Sequence, residues 1–586
     1  MTEPHLAGDI RETVHRGSDD LLSAGLGLGG LRAQAKAFAD AGAPTPEELR
    51  RRAIHASWSG IADLGPLGGY GRVYGGVPNV SGREYSAFAR VPGANAPHRV
   101  LVQVPDAFDA KERCLLVAPS SGSRGVYGAI ALAGAWGLPR GCAVAYTDKG
   151  AGSGYYDLDS HTGVRLDGTR TTHTDSATAH LEMFEFELQP AAGASGVAVK
   201  HAHSGDNPEA DWGRHVLQAA RFGLEMLDRA YPGQAPFTPA NTRVIAVGLS
   251  NGGGAVLQAA GLDDARMLAG AVALEPNVHV EGRGRALYDY VTEAALYLPC
   301  ALVDARFDAA PFARVQGMVP AAWIARCASL HEAGLVGGAD VAAQARSALD
   351  HLHASGWDEQ TLDTAASTTA FDLWRAVAVT YASAYLRAAP QAMPCGFRFG
   401  ALDANGTPIA IDAQTRAAWW SDASGIPPGA GVMLLGGVDA TADPAAASLH
   451  CLRALWTGDS ADARALRASV AATAVKIPRA DLPLIVAQGE GDGLLPIAFA
   501  SAPYVAALEA GGCTPTYWRV RHAQHFDAFL ALPAFGERHV PLMPYGYAAL
   551  DALWAHLEHG APLPASRRFV TTPRGPAPLD RGMLDF

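Results

Sequence analysis

The stretch VIAVGLSNGGGAVLQAAG, residues 244–261, decides how this chain is read. Four apolar residues of strand character run into Gly248-Leu249-Ser250-Asn251-Gly252, a Gly-x-Ser-x-Gly pattern, and small helix-compatible residues follow. By itself the pattern is an ordinary glycine-rich bend. With a strand before it and a helix after it, the pattern describes a sharp turn that lifts a serine hydroxyl above the end of a sheet. The flanking glycines have a physical reason, because strand and helix pass too closely for β-carbons and the serine takes strained dihedrals. Ser250 is therefore the candidate nucleophile. The N–H of Asn251 opens the helix, where unpaired N–H groups and the helix dipole favour a developing oxyanion.

Working outward, further apolar runs have the same character. They are HRVLVQVPDAF (98–108), RCLLVAPSSG (113–122), GCAVAYTDKG (141–150), LAGAVALEPNV (268–278), LPLIVAQGEGD (482–492) and TYWRVRHAQH (516–525). Near-continuous apolar strands separated by helical patterns predict a mostly parallel sheet covered on both faces. Functional residues then belong just beyond the C-terminal strand ends. Between Val278 and Leu482 lie about 200 residues, far more than a crossover needs. ALYDYVTEAALYL (286–298), DVAAQARSALDHLHASG (340–356) and AFDLWRAVAVTYASAYLRAA (370–389) read as helices within this segment. The expected architecture is an α/β-hydrolase fold with a large, mainly helical lid. Residues 1–278 and 481–586 would form the core and 279–480 the lid.

A catalytic triad on such a fold follows the order Ser, acid, His. PLIVAQGEGDGLLP (483–496) offers Asp492 on the turn after the first strong strand beyond the lid. A turn-capping aspartate is the plainer reading of that position, and Glu275, at the end of the preceding strand, is the rival acid; the order favours Asp492. RVRHAQHFDAF (519–529) offers two histidines. His525 is the better base because it lies beyond the strand, where a loop can aim it at the serine, whereas His522 continues the strand's alternation.

The composition sets limits on function. The chain has 586 residues, 49% hydrophobic and 18% charged, enough to bury a large core. A net charge of −12 and the absence of any lysine- or arginine-rich run argue against a nucleic-acid partner. LRRRAIHASW (49–58), the densest basic cluster, reads as a solvated helix face. No run of about 18 apolar residues suggests a membrane span. MTEPHLAGDIRETVHRGSDD lacks the basic start and apolar stretch of a signal peptide, so a cytoplasmic location is expected, the alternative being export with that peptide absent. The seven cysteines include no Cys-x-x-Cys, and no metal site is expected from them. One thiol at least is left over, and Cys300, Cys327, Cys395 and Cys451 could form one or two disulfides in an exported protein.

Longer motifs carry a family likeness. DDLLSAGLGLGGL (19–31), PSSGSRGVYGAIALAGAWGLPRGCAVAYTDKGAG (119–152), KHAHSGDNPEADWG (200–213), LSNGGGAVLQAAG (249–261), EPNV (275–278), LYDYVTEAALYLPCA (287–301), QHFDAF (524–529) and VPLMPYGYAAL (540–550) resemble the D-(−)-3-hydroxybutyrate oligomer hydrolases. The resemblance implies a serine esterase that cleaves short 3-hydroxybutyrate oligoesters to monomer without metal or cofactor, downstream of poly(3-hydroxybutyrate) depolymerases. The family's active serine, in S-N-G-G, falls on Ser250. Its members include exported and intracellular enzymes.

The mechanism expected from the residues agrees with that implication. The second oxyanion donor should come from the loop after an early strand, for which PSSGSRG (119–125), with Ser121 and Gly122, is the candidate. Arg124 could hold the terminal carboxylate of an oligomer or be an ordinary surface arginine. Trp419 and Trp420 could line an apolar cleft or form lid core.

Other signals are set aside. GLGLGG (25–30) satisfies Gly-x-Gly-x-x-Gly but follows no buried strand, and is assigned to a loop. His201 and His203 stand at alternate positions like metal ligands; with no further clustered ligand they are assigned hydrogen bonds in a structured loop. Two other readings stay open: a tannase- or feruloyl-esterase-like enzyme with the same triad, and a non-catalytic binding protein on the same fold. Oligomeric state is not legible.

Overall fold

The spine of the molecule is a ten-stranded sheet. In chain order its strands are β1 (Arg11–His15), β2 (Gly82–Ala89), β3 (His98–Pro105), β4 (Cys114–Pro119), β5 (Ala143–Thr147), β6 (Arg243–Leu249), β7 (Gly270–Leu274), β8 (Leu484–Gly489), β9 (Thr516–Val520) and β10 (Arg567–Phe569). Their spatial order is β1-β2-β3-β5-β4-β6-β7-β8-β9-β10. This computed structural model describes residues 6–172, 185–186, 188, 193–403, 407–422, 426, 432–437 and 441–586.

From β5 to β10 every pairing is parallel, with Val247 opposite Val272 and Ala246 opposite Val117. The β1, β2 and β3 pairings are antiparallel. The sheet is thus mixed and of α/β-hydrolase-like kind, with the Gly-x-Ser-x-Gly turn leaving a central strand. All seven apolar runs quoted above form strands; β1, β2 and β10 carry too many polar residues to have been read as such.

Alternation explains the two-sided burial. Leu116, Val144, Ile245, Val272 and Ile485 face one layer, and Leu115, Val117, Val244, Ala246 and Val486 face the other. Burying each Val, Leu or Ile stabilises by about 1.5–3 kcal/mol. Helix α1 (Pro208–Ala230) covers the second face with Trp212, Val216, Phe222 and Leu227, and packs against helix α2 (Asn251–Leu262), which leaves β6.

Between β7 and β8 the chain forms eight α-helices among the described residues, α3 (Leu287–Ala301) and α4 (Leu373–Tyr385) included. The segment also holds a small three-stranded antiparallel sheet, Phe397–Leu402, Pro408–Ile409 and Met433–Gly436, which the helical reading did not expect. A second excursion, after β5, carries a four-stranded antiparallel sheet built on Tyr155–Asp157, Thr162–Val164, Arg170–Thr172 and Val197–Val199. Two- and three-residue strands are too short for alternation to register.

Two local assignments are corrected. GLGLGG is not a loop throughout: Gly27–Arg32 is a short helix with Leu31 buried. Asp20, which accepts the N–H groups of Leu22, Ser23 and Gly25, organises the turn before it, and the Ser23 hydroxyl accepts from Gly27 N–H. LRRRAIHASW does lie on a helix, Pro46–Ser59, capped by Thr45 and Glu48, yet Arg50 is buried. It shares the inner face with Leu49, Ala53 and Ile54, and its guanidinium forms a bidentate pair with Glu84 (3.0 and 2.7 Å) and a bond to Asp19 (2.8 Å).

Disulfides join Cys114 to Cys142, Cys300 to Cys327 and Cys395 to Cys451, and Cys513 is a buried free thiol. Among the described residues no helix is long and apolar enough to cross a membrane.

Candidate active site

Ser250 occupies the turn between β6 and α2 with φ +57° and ψ −125°, a conformation that strains any residue with a β-carbon. The glycines around it are sterically required. A β-carbon on Gly248 would lie 2.4 Å from the backbone of Gly252, and one on Gly252 would lie 2.6 Å from the Pro119 carbonyl. The turn therefore packs directly against the end of β4.

His525, in the loop after β9, faces the Ser250 Oγ through Nε2 at 3.0 Å. Its Nδ1 lies 2.9 Å from Oδ2 of Asp492, which sits in the turn after β8. Asp492 is fully buried and held from behind. Its Oδ1 accepts the N–H groups of Leu494 (3.0 Å) and Leu495 (2.7 Å), and Oδ2 also accepts from the Gln488 amide at 3.2 Å. The three expected residues are thus brought into one hydrogen-bonded chain.

The two rivals are placed differently. His522 turns away, with Nδ1 at 3.0 Å from the Thr571 carbonyl. Glu275, directly after β7, stays close: its Oε2 is 3.8 Å from His525 Nδ1. Burial, and then the charges of Asp492 and Asp527, push the Glu275 carboxyl well above the usual carboxylate range. Donor atoms of Glu275, Asp492 and His525 lie within 4.8 Å of one another, so the trio has the donor set for a cation. His525 Nδ1 is bonded to Asp492, and Asp492 Oδ1 is already taken by two backbone N–H groups.

Above these residues opens a cavity of about 630 Å³, which Ser121, Gly122, Arg124, Asn251 and Glu275 also line. Its walls are apolar: Leu249 and Phe529 come from the sheet domain, and Leu287, Phe371, Leu373 and Val377 from the segment between β7 and β8. Asn251 heads helix α2, where the first N–H groups have no intrahelical acceptor. Its side chain donates to the Tyr381 hydroxyl at 2.8 Å and accepts from Asn277 at 2.9 Å.

The loop after β4 is braced from outside the cavity. The Ser121 carbonyl accepts the Arg124 N–H at 3.2 Å, and the Lys149 ammonium donates to the Gly122 carbonyl and, at 3.1 Å, to the Ser120 hydroxyl. Burial lowers the Lys149 ammonium to about 7, against the opposing pull of Asp148 and Glu209. Sequence reasoning passed over Lys149 although it stands just beyond β5, at a C-terminal strand end. Tyr381 was also missed, because nothing in a helical run marks which residue reaches the site.

Arg124 donates to the Gly60 carbonyl at 3.1 Å, and among the described residues no acidic side chain pairs with it. Trp419 and Trp420 do not reach this cavity. Trp419 packs edge-on against Tyr155 (4.6 Å), and Trp420 donates to Glu185 (2.8 Å) beneath the Arg99 guanidinium. They are core residues. His201 and His203 make the expected hydrogen bonds, on a short helix (Lys200–His203) rather than in a loop. His201 bridges Ser123 and Glu209, and His203 accepts the Val199 N–H at 3.1 Å.

A family model described as 3HB-oligomer hydrolase matches residues 1–583. Similar proteins include D-(−)-3-hydroxybutyrate oligomer hydrolases from Cupriavidus metallidurans, 39% identical over 96% of this chain and 85% of that protein, and from Paracidovorax citrulli, 40% identical over 98% and 90%. Among solved structures, feruloyl esterase B from Aspergillus oryzae (11% identity, 87% and 85% covered) aligns with TM-score 0.36. The tannin acyl hydrolase from Aspergillus niger (13% identity, 83% and 80% covered) aligns with TM-score 0.37.

Proposed function

The chain belongs to the 3HB-oligomer hydrolase family, and from that premise we propose how it cleaves its ester. It is a carboxylic ester hydrolase of short (R)-3-hydroxybutyrate oligomers, and Ser250 is the nucleophile. The observation that carries this reading is the unbroken chain Ser250, His525, Asp492 at 3.0 and 2.9 Å, opening on an apolar cavity.

Ser250 Oγ attacks the ester carbonyl as His525 Nε2 takes its proton, while Asp492 keeps Nδ1–H facing itself and stabilises the imidazolium. The backbone N–H of Asn251 and those of Ser121 and Gly122 receive the oxyanion. His525 returns the proton to the departing alcohol oxygen, leaving an acyl-enzyme. A water activated by the same imidazole then releases the second product.

The segment 279–480 acts as a lid over the core formed by 1–278 and 481–586. Its Phe371, Leu373 and Val377 supply an apolar wall for the methyl-bearing chain. Arg124, charged and without an acidic partner in the described structure, receives the terminal carboxylate. Three cysteine pairs support an oxidising compartment, hence the exported alternative over a cytoplasmic location.

The test is hydrolysis of (R)-3-hydroxybutyrate trimer by wild type and Ser250→Ala, with products separated by chromatography. Monomer from wild type and at least about a thousandfold less from the variant is expected. Cleavage of aryl esters with none of the trimer would overturn the substrate; equal cleavage by both proteins would overturn the serine.

A further inference from the structure

Two carboxyl groups converge on one imidazole nitrogen, and the mechanism uses only one of them. Asp492 is at 2.9 Å from His525 Nδ1 and Glu275 at 3.8 Å. Asp492 is anchored by two backbone N–H groups and an amide. Glu275 Oε2 is buried with no hydrogen-bond partner and stands in reach of the ring. An unpaired buried carboxyl oxygen is costly unless something retains it. Its backbone, at φ +35°, is held in a region that side-chain-bearing residues rarely occupy.

We propose that Glu275 is a reserve acid for the triad: protonated while Asp492 carries the charge, and able to replace Asp492 as the partner of His525. This rests on the reading of Ser250, His525 and Asp492 as the triad. Two carboxylates so near one another cannot both ionise in a buried site, so one proton stays on the pair. The charged groups acting on Glu275 are Asp492 and Asp527, both acidic, which leaves the proton on Glu275 as the favoured arrangement. When the Asp492 charge is removed, the Glu275 proton leaves to solvent through the cavity that the residue lines. Less than one ångström of side-chain movement then closes its gap to the bond length that Asp492 makes. Glu275 is a positioning residue in this scheme, since it acts only through His525.

The experiment compares Asp492→Asn, Glu275→Gln and the double variant on the trimer across pH. Without an alternative acid, loss of a triad aspartate costs about ten-thousandfold in turnover. Asp492→Asn is expected to lose about a hundredfold or less and to gain an acid limb, as Glu275 must now ionise; the double variant should fall to the full loss and lack that limb. Asp492→Asn and the double variant being equally impaired, with unchanged melting temperatures, would overturn the proposal. Full activity in Ser250→Ala would instead overturn the triad reading beneath it. Should Asp492→Asn not fold, infrared difference spectra of wild type against Glu275→Gln decide. A protonated-carboxyl stretch at pH 7, lost in the variant, is expected; its absence from wild type overturns the proposal.

Discussion

His525 Nε2 stands 3.0 Å from Ser250 Oγ, although 275 residues of sequence separate them. Both lie beyond C-terminal ends of strands of one sheet, and the parallel pairing of β6 through β9 sets that spacing. An organophosphonate should label Ser250 in the wild type. With His525→Ala the labelling rate should drop by about a thousandfold or more, because the hydroxyl then has no base. Mass spectrometry of the labelled peptide checks both the site and the rate. Unchanged labelling would remove His525 from the role.

Lys149 predicts an alkaline limb. Its ammonium, lowered by burial to about 7, holds the Gly122 carbonyl below that pH and loses its proton above it. Turnover should therefore decline through about pH 7. Lys149→Met should lose that limb and, with KM little changed, about tenfold to a hundredfold in kcat, somewhat less than removal of an oxyanion donor itself. The stability sign is opposite. The native lysine holds fewer protons than the unfolded one between about 7 and 10.5, so its contribution to stability rises with pH across that window. Urea unfolding at several pH values, wild type against Lys149→Met, measures the slope.

The proposed role of Arg124, holding the terminal carboxylate, predicts a discrimination between chain ends. A charge-assisted hydrogen bond is worth about 1.5–3 kcal/mol. Arg124→Met should accordingly raise KM for the free-acid trimer by about tenfold to a hundredfold. The trimer methyl ester, which has no carboxylate, should bind both proteins alike. Equal loss on both substrates would make Arg124 a brace for Gly60 and nothing more.

The disulfides carry stability outside the site. Reduction should lower the melting temperature without touching the triad, since no bridging cysteine lines the cavity. Replacing Cys395 and Cys451 by serine should cost about 2–5 kcal/mol. Calorimetry with and without reductant tests this.

Several features are legible in the sequence. The strained turn at Ser250 is legible because a serine between strand and helix needs Gly248 and Gly252 beside it, and such steric requirements are written locally. The buried strands were readable because both of their faces are covered, which demands unbroken Val, Ile, Leu and Ala. Chain order makes Asp492 and His525 the candidate acid and base. The helix within GLGLGG is not legible because the turn leading into it rests on hydrogen bonds to Asp20 and Ser23 that no pattern match contains. The burial of Arg50 is not legible, because a charge within a basic helix run looks solvated when its partner Glu84 lies on a strand 34 residues away.

Local sequence, then, determined what covalent neighbours and periodicity control: the strained serine turn, the apolar strands, and the order of the candidate acid and base. Tertiary structure alone decided what depends on distances between remote segments. It placed Asp492 nearer than Glu275 to His525, set Lys149 behind the Gly122 loop, and took Trp419 and Trp420 away from the cavity into the core. Hydrogen bonds and charges act over a few ångströms of space, and such proximity exists only once the sheet has brought distant strand ends together.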